Sequence, residues 1–162
     1  MISLAKFSVK KLIGYAVRAE RDSHNIYRRL SRRLKNPLLR EKFEVLAFEE
    51  KKHGEILESL YGSLYGDERL EVPESVDARL LPGVTIRPSS TLIDILAQAM
   101  EAEKSAQDFY ASLAGRVKTT KRKILEYLSK VEKSHYLMLR SEYALAQAYD
   151  DYGEKDIDKI IT

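Results

Sequence analysis

Two short motifs carry the chemistry this chain could perform. Glu50-Lys51-Lys52-His53 and Glu132-Lys133-Ser134-His135 each place a carboxylate and an imidazole three residues apart. On a helix that spacing makes the two side chains neighbours on one face. Two of the three histidines follow a glutamate in this way, whereas His24 follows Arg21. Two Glu-x-x-His pairs, joined by one glutamate from each of two further helices, form the ligand set of a dinuclear carboxylate metal site in a four-helix bundle. Glu20 and Glu103 are the candidates for those two glutamates. Glu20 lies 30 residues before Glu50, and Glu103 lies 29 before Glu132. Each is followed seven residues later by a tyrosine, Tyr27 or Tyr110, and three residues later by a small side chain, Ser23 or Ala106. Seven residues are two helical turns with a drift of only ~20°, so each Glu and Tyr share a face. The chain reads as two similar halves.

Charge explains why these residues belong together. A lone ionised carboxylate in a helical core is costly and takes up a proton instead. Four glutamates at one level are compensated by two divalent cations, with the histidines bound as neutral imidazoles. Oxygen and imidazole donors without sulfur favour iron or manganese over a structural zinc. Metal ligation is therefore expected at Glu20, Glu50, His53, Glu103, Glu132 and His135.

Four helices must carry these groups. Apolar residues recur at helical intervals over about 8–35, 38–65, 91–117 and 122–149. At ~1.5 Å per residue, the first would be roughly 40 Å long. Asn36-Pro37 breaks the first helix from the second, because the residue before proline avoids helical geometry. So short a connection makes these helices antiparallel neighbours. The stretch 66–90, with Pro73, Pro82, Pro88 and Gly83, has little helical periodicity and reads as a long crossover. Residues 153–162 read as a tail. No alternating β-branched runs appear. The expected fold is all-α: one domain spanning 1–162, a four-helix bundle of two hairpins joined by the crossover.

The totals exclude much else. With no cysteine, disulfides, thiolate zinc sites, iron–sulfur clusters and catalytic thiols all drop out. A net charge of +3 is too small to argue for nucleic acid. Ten Lys or Arg in residues 1–35 stand against only Glu20 and Asp22, a solvated face or a docking surface for an acidic partner. No run of about 20 apolar residues occurs, so no membrane span is expected. The opening residues lack a signal-peptide pattern, and a cytoplasmic location is the default.

Three segments resemble the rubrerythrin branch of the ferritin-like superfamily: AVRAERDSHNIYRRLSRRLKNPLLREKFEVLAFEEKKHGEILESLYG (Ala16–Gly62), MEAEKSAQDFYASLA (Met100–Ala114) and VEKSHYLMLRSEY (Val131–Tyr143). The resemblance covers all four helices. It implies a di-iron centre held by the six residues above, with manganese or a mixed metal pair as further options. It also implies that Tyr27 and Tyr110 pack by the site and hydrogen-bond its carboxylates, in a protein that reduces hydrogen peroxide or dioxygen under oxidative stress. The sequence departs from the family pattern in lacking the four-cysteine rubredoxin domain of full-length members. Electrons are then expected from a separate donor such as a rubredoxin, with the basic first helix as a docking candidate. A homodimer is expected, and the crossover would permit helix exchange between subunits.

Two other functions stay open on the sequence: a ferroxidase serving iron storage or transfer, and a structural bundle without native metal. Glu101 and His24 are secondary ligand candidates. Glu101 sits roughly 200° around the helix from Glu103, which favours solvent. His24 stands one turn beyond Glu20. Glu49, beside Glu50, is expected to be exposed.

Overall fold

Among the described residues, three of the four α-helices start on a polar side-chain cap. In a computed structural model, which describes residues 3–149, Ser8 accepts a hydrogen bond from Lys11 N and opens α1 (Val9–Ser31). Asn36 accepts from Leu38 N and Leu39 N, and Pro37 takes the first position of α2 (Pro37–Tyr65). Proline is tolerated there because that N–H has no helical partner. Thr91 and Asp94 form a reciprocal capping box at α3 (Leu92–Ala114). The fourth helix, α4, spans Arg122–Ala148. Before α1, a 3-10 turn at Leu4–Lys6 is held by the Arg116 guanidinium, which donates to Leu4 O and Phe7 O, both at 2.8 Å.

Two helices stop earlier than their periodicity suggests. The first ends at Ser31 rather than near 35, because Arg33 N and Leu34 N both turn back to Leu30 O. The third ends at Ala114 rather than 117. Arg116 N and Val117 N close onto Leu113 O and Ala114 O in tighter i→i+3 turns. Val117 stays buried all the same. The expected tail at 153–162 lies outside the described residues.

The closest helix packing lies within the pairs α1–α2 and α3–α4. Their apolar stripes meet in two clusters. One gathers Leu12, Ile13, Leu57, Leu60, Phe109, Leu113, Leu125 and Leu128, and the other Leu30, Phe43, Leu46, Ile95, Leu96 and Leu139. The membership shows the direction of each helix. The start of α1 joins the end of α2, the end of α3 and the start of α4. Helix α3 therefore runs parallel to α2 and antiparallel to α1. That arrangement requires the crossover to travel the length of the bundle. It does so as a strap: Leu70, Val72 and Val76 pack on the first cluster, and Val84 and Ile86 on the second. Tyr61 Oη bonds Arg69 O near its start, and Gln98 clasps the Thr85 backbone near its end. Gly14 explains itself here. A Cβ at that position would lie 2.1 Å from Glu71 O, so the strap can cross α1 only over a glycine. Among the described residues, no helix is long and apolar enough to cross a membrane.

Candidate metal centre

Between the two apolar clusters the core turns polar. Glu20 on α1, Glu50 and His53 on α2, Glu103 on α3, and Glu132 and His135 on α4 are each at most 4% exposed. Every helix contributes at mid-length, where helical backbone hydrogen bonds are internally satisfied and the side chains alone decide the polarity. The six residues form two groups with converging donor atoms: Glu20, Glu50, His53 and Glu132, then Glu50, Glu103, Glu132 and His135. Within each group the donor atoms lie within 4.8 Å of one another. Glu50 and Glu132 belong to both. The two imidazoles stack at 5.6 Å between ring centroids, 15° from parallel.

Whether a metal pair suits these residues is tested by their unmet bonding capacity. Glu20 Oε2, Glu50 Oε1, His53 Nδ1 and both Glu132 carboxylate oxygens are buried without a hydrogen-bond partner. His53 Nδ1 lies 2.8 Å from Glu132 Oε1. Neither atom gains a hydrogen-bond partner by that approach. His135 Nδ1 is likewise surrounded, 3.1 Å from Glu50 Oε1 and 3.3 Å from both Glu103 Oε2 and Glu132 Oε2. Buried polar atoms are almost always paired, so a cluster of orphans facing one another marks a place for cations. The donor set fits.

Protons carry the compensating charge when cations do not. Burial, followed by the Glu132, Glu20 and Glu103 carboxylates, pushes Glu50 well above the usual carboxylate range. Burial and the Glu20 and Glu103 carboxylates push Glu132 up to about 8. For Glu103 burial acts in the same sense, but the adjoining His135, Glu132 and Tyr27 outweigh it and hold the group below its ordinary value. Burial disfavours a charged His53, yet the neighbouring Glu132 and Glu20 raise it to about 10. His135 follows the same balance, with Glu103, Glu132 and Glu50 lifting it far above the imidazole range against burial.

The tyrosines cross between the halves. Tyr27 donates to Glu103 Oε1 and Tyr110 donates to Glu20 Oε1, so each serves the other half's glutamate. Helical side chains lean towards the N-terminus, which carries each ring back to the level of the carboxylates and across to the antiparallel helix. Burial and the accepting carboxylate raise both phenols well above their ordinary value.

The secondary candidates separate cleanly. Glu101 is exposed, outside both groups, and accepts from Ser105 Oγ at 3.5 Å. His24 is half-buried, with Nδ1 2.6 Å from Ala47 O, and belongs to neither group. Glu49 departs from expectation: its side chain is 43% exposed, yet Oε2 lies 2.6 Å from His135 Nε2. A carboxylate on the far nitrogen of a ligating imidazole fixes the ring's tautomer and orientation. Glu142, 2% exposed and paired with Lys42, was also unforeseen. Its position two turns beyond His135 on the same face is the sequence signal that could have found it.

A four-helix bundle with one long crossover and carboxylate–imidazole groups at mid-height defines the ferritin-like fold class. The rubrerythrin family model matches residues 11–143, and the chain belongs to the rubrerythrin family. Among solved structures, a hypothetical protein from Pyrococcus furiosus is 33% identical, with a TM-score of 0.79 over 90% of this chain and 94% of that one. A putative ferritin-like diiron-carboxylate protein from Thermotoga maritima, 23% identical, shares the fold with a TM-score of 0.70 over 85% of this chain and 95% of its own. A comparison with curated proteins finds no match.

Proposed function

We propose that this protein is a di-iron oxidoreductase that reduces hydrogen peroxide or dioxygen and is re-reduced by a separate donor protein. The observation that carries the reading is the pair of four-donor groups sharing Glu50 and Glu132. Glu20 and His53 would help hold one iron and Glu103 and His135 the other, with Glu50 and Glu132 available to both. Four carboxylates against two divalent ions close the charge balance inside an apolar bundle. When bound, the irons supply the electrons that neither glutamate, histidine nor phenol gives up readily at neutral pH.

The chain's own groups do the rest. Tyr27 and Tyr110 hold Glu103 and Glu20 by one oxygen each, leaving the second oxygen for a cation. Glu49 keeps the His135 ring oriented with its Nδ1 towards the centre. Raised phenol pKa values keep both tyrosines protonated as donors. The apolar clusters above and below exclude bulk water.

Electron delivery from outside is supported by the exposed arginines at the end of α1, Arg28, Arg29 and Arg32. Further up the helix the positive charge is engaged: Lys10 pairs with Glu68, Arg18 with Asp22 and Arg21 with Glu58. The reading includes a single-domain, cytoplasmic homodimer. Stopped-flow mixing of the diferrous protein with hydrogen peroxide, or with oxygenated buffer, tests it. Peroxide is expected to oxidise the centre faster. If it acts no faster than air, the peroxidase reading fails and a ferroxidase takes its place.

A further inference from the structure

The crossover passes the level of the carboxylates at Leu81-Pro82. Beneath these residues lies a slot of about 20 Å³ whose floor is Glu20, Glu50 and Glu103. The small side chains of Ser23 on α1 and Ala106 on α3 leave this space open. A site needs ~10–15 Å³ of such volume to hold one water, so the slot admits one very small molecule at a time. Outside it, between α1 and the strap, lies a cavity of about 420 Å³ with Asp22, Asn25, Arg29 and Thr85 on its walls. Slot and cavity share Ala19, Ser23, Leu81 and Pro82, so these residues stand at the junction.

The backbone at this junction is held from both sides. Leu80 N and Leu81 N both donate to Asp77 O, at 2.8 and 3.1 Å, and Gln98 fixes Thr85 further on. Pro82 has a locked φ. The Leu81 side chain, 8% exposed, packs in the first apolar cluster at the edge of the slot, and a change of its rotamer would open the junction without moving the strap backbone. A second groove reaches the centre between α1 and α2 near His24 and Gly54, but of the six site residues it touches Glu50 alone.

We propose that Leu81 is the size-selecting gate of this protein. Molecules of two or three heavy atoms pass from the outer cavity, beneath Leu81, to the carboxylate face of the centre. The inference rests on the di-iron reading above and adds the route and the residue that selects by size. Tert-butyl hydroperoxide, too bulky for the slot, is excluded while Leu81 is in place.

The test uses azide binding to the diferric protein, followed by its charge-transfer absorption in stopped flow. Iron stoichiometry is measured first on the same samples. A gate changes a barrier and leaves both end states alone, so Leu81→Ala should raise association and dissociation rates together. The expected change is about tenfold in each, as for ~1.4 kcal/mol removed from the entry barrier, with Kd unchanged. Leu81→Val should move both rates in the same sense by less, and serves if the alanine variant does not fold. Gly54→Ala narrows the competing groove, its methyl in ordinary contact 3.8 Å from Glu20 Cβ, and should leave both rates unaltered. Association within about twofold of wild type in the Leu81 variants, or a larger effect from Gly54→Ala, overturns the gate. A faster association without faster dissociation overturns it too, making Leu81 part of the binding site. Wild type holding fewer than two irons per chain instead refutes the underlying metal reading, and the gate falls with it.

Discussion

Adding two divalent ions to the metal-free protein at pH 7 should expel about three protons or more. The count follows from the groups that must be bare to ligate. His53, lifted to about 10, carries a proton at pH 7, and His135, lifted further, does so as well. Glu132, at about 8, is ~0.9 protonated at pH 7. Glu50, raised well above the carboxylate range by burial and its carboxylate neighbours, adds to this count. Glu103, held low by His135 and its neighbours, contributes none. Raising the pH to 9 strips Glu132 beforehand and lowers the count by ~0.8. The assay is anaerobic Fe²⁺ addition in weak buffer with an indicator dye, cross-checked by calorimetry in two buffers of different ionisation enthalpy. Release of fewer than about two protons at pH 7 would refute the reasoning. The ions would then be binding to groups already deprotonated, elsewhere than in this cluster.

The same titrations set the stability of the metal-free protein. Raised folded-state values mean that the native state binds more protons than the unfolded chain, so stability falls as pH rises. Glu132's contribution is complete below its ordinary 4.5 and lost through about 8, and His53's is complete below 6.5 and lost through about 10. Urea midpoints should therefore decline from pH 6 to 10 in metal-free protein and stay nearly level when it is loaded. Gly14→Ala should lower stability by about 1 kcal/mol net, overpacking of ~1–3 outweighing a helix-propensity gain of ~1. Its control, Gly62→Ala, meets nothing within 4 Å and should be stabilising; equal midpoints for the two would refute the strap contact. Tyr27→Phe should cost ~1–2 kcal/mol in metal-free protein by stripping Glu103 of its donor, while metal stoichiometry stays at two.

What could be read in the sequence was what helices write locally. Asn36-Pro37 was legible as the break between the first two helices, and the caps at Ser8, Asn36 and Thr91 are local in the same way, because capping involves residues two or three apart. The convergence of the six candidate residues was legible for a related reason. Helical periodicity fixes which side chains share a face, and the repeated Glu–Tyr and Glu–His spacings appear once in each half. The direction of pairing between the halves has no local signature. It took the bundle to show that Tyr27 serves Glu103 and Tyr110 serves Glu20, rather than each its own half. Glu49 looked like a solvated neighbour of Glu50 because its partner, His135, lies on another helix. Gly14 has no local signature either, because the Glu71 backbone that passes over it lies far along the chain.

Anaerobic titration of the metal-free protein with Fe²⁺ tests the central claim most directly. Wild type should bind two irons per chain, and Glu50→Ala, which removes a donor common to both groups, should lose the dinuclear site. His135→Ala, which strips one group only, should retain a single iron. A wild type that binds fewer than two, or a Glu50→Ala variant that still binds two, would contradict the account.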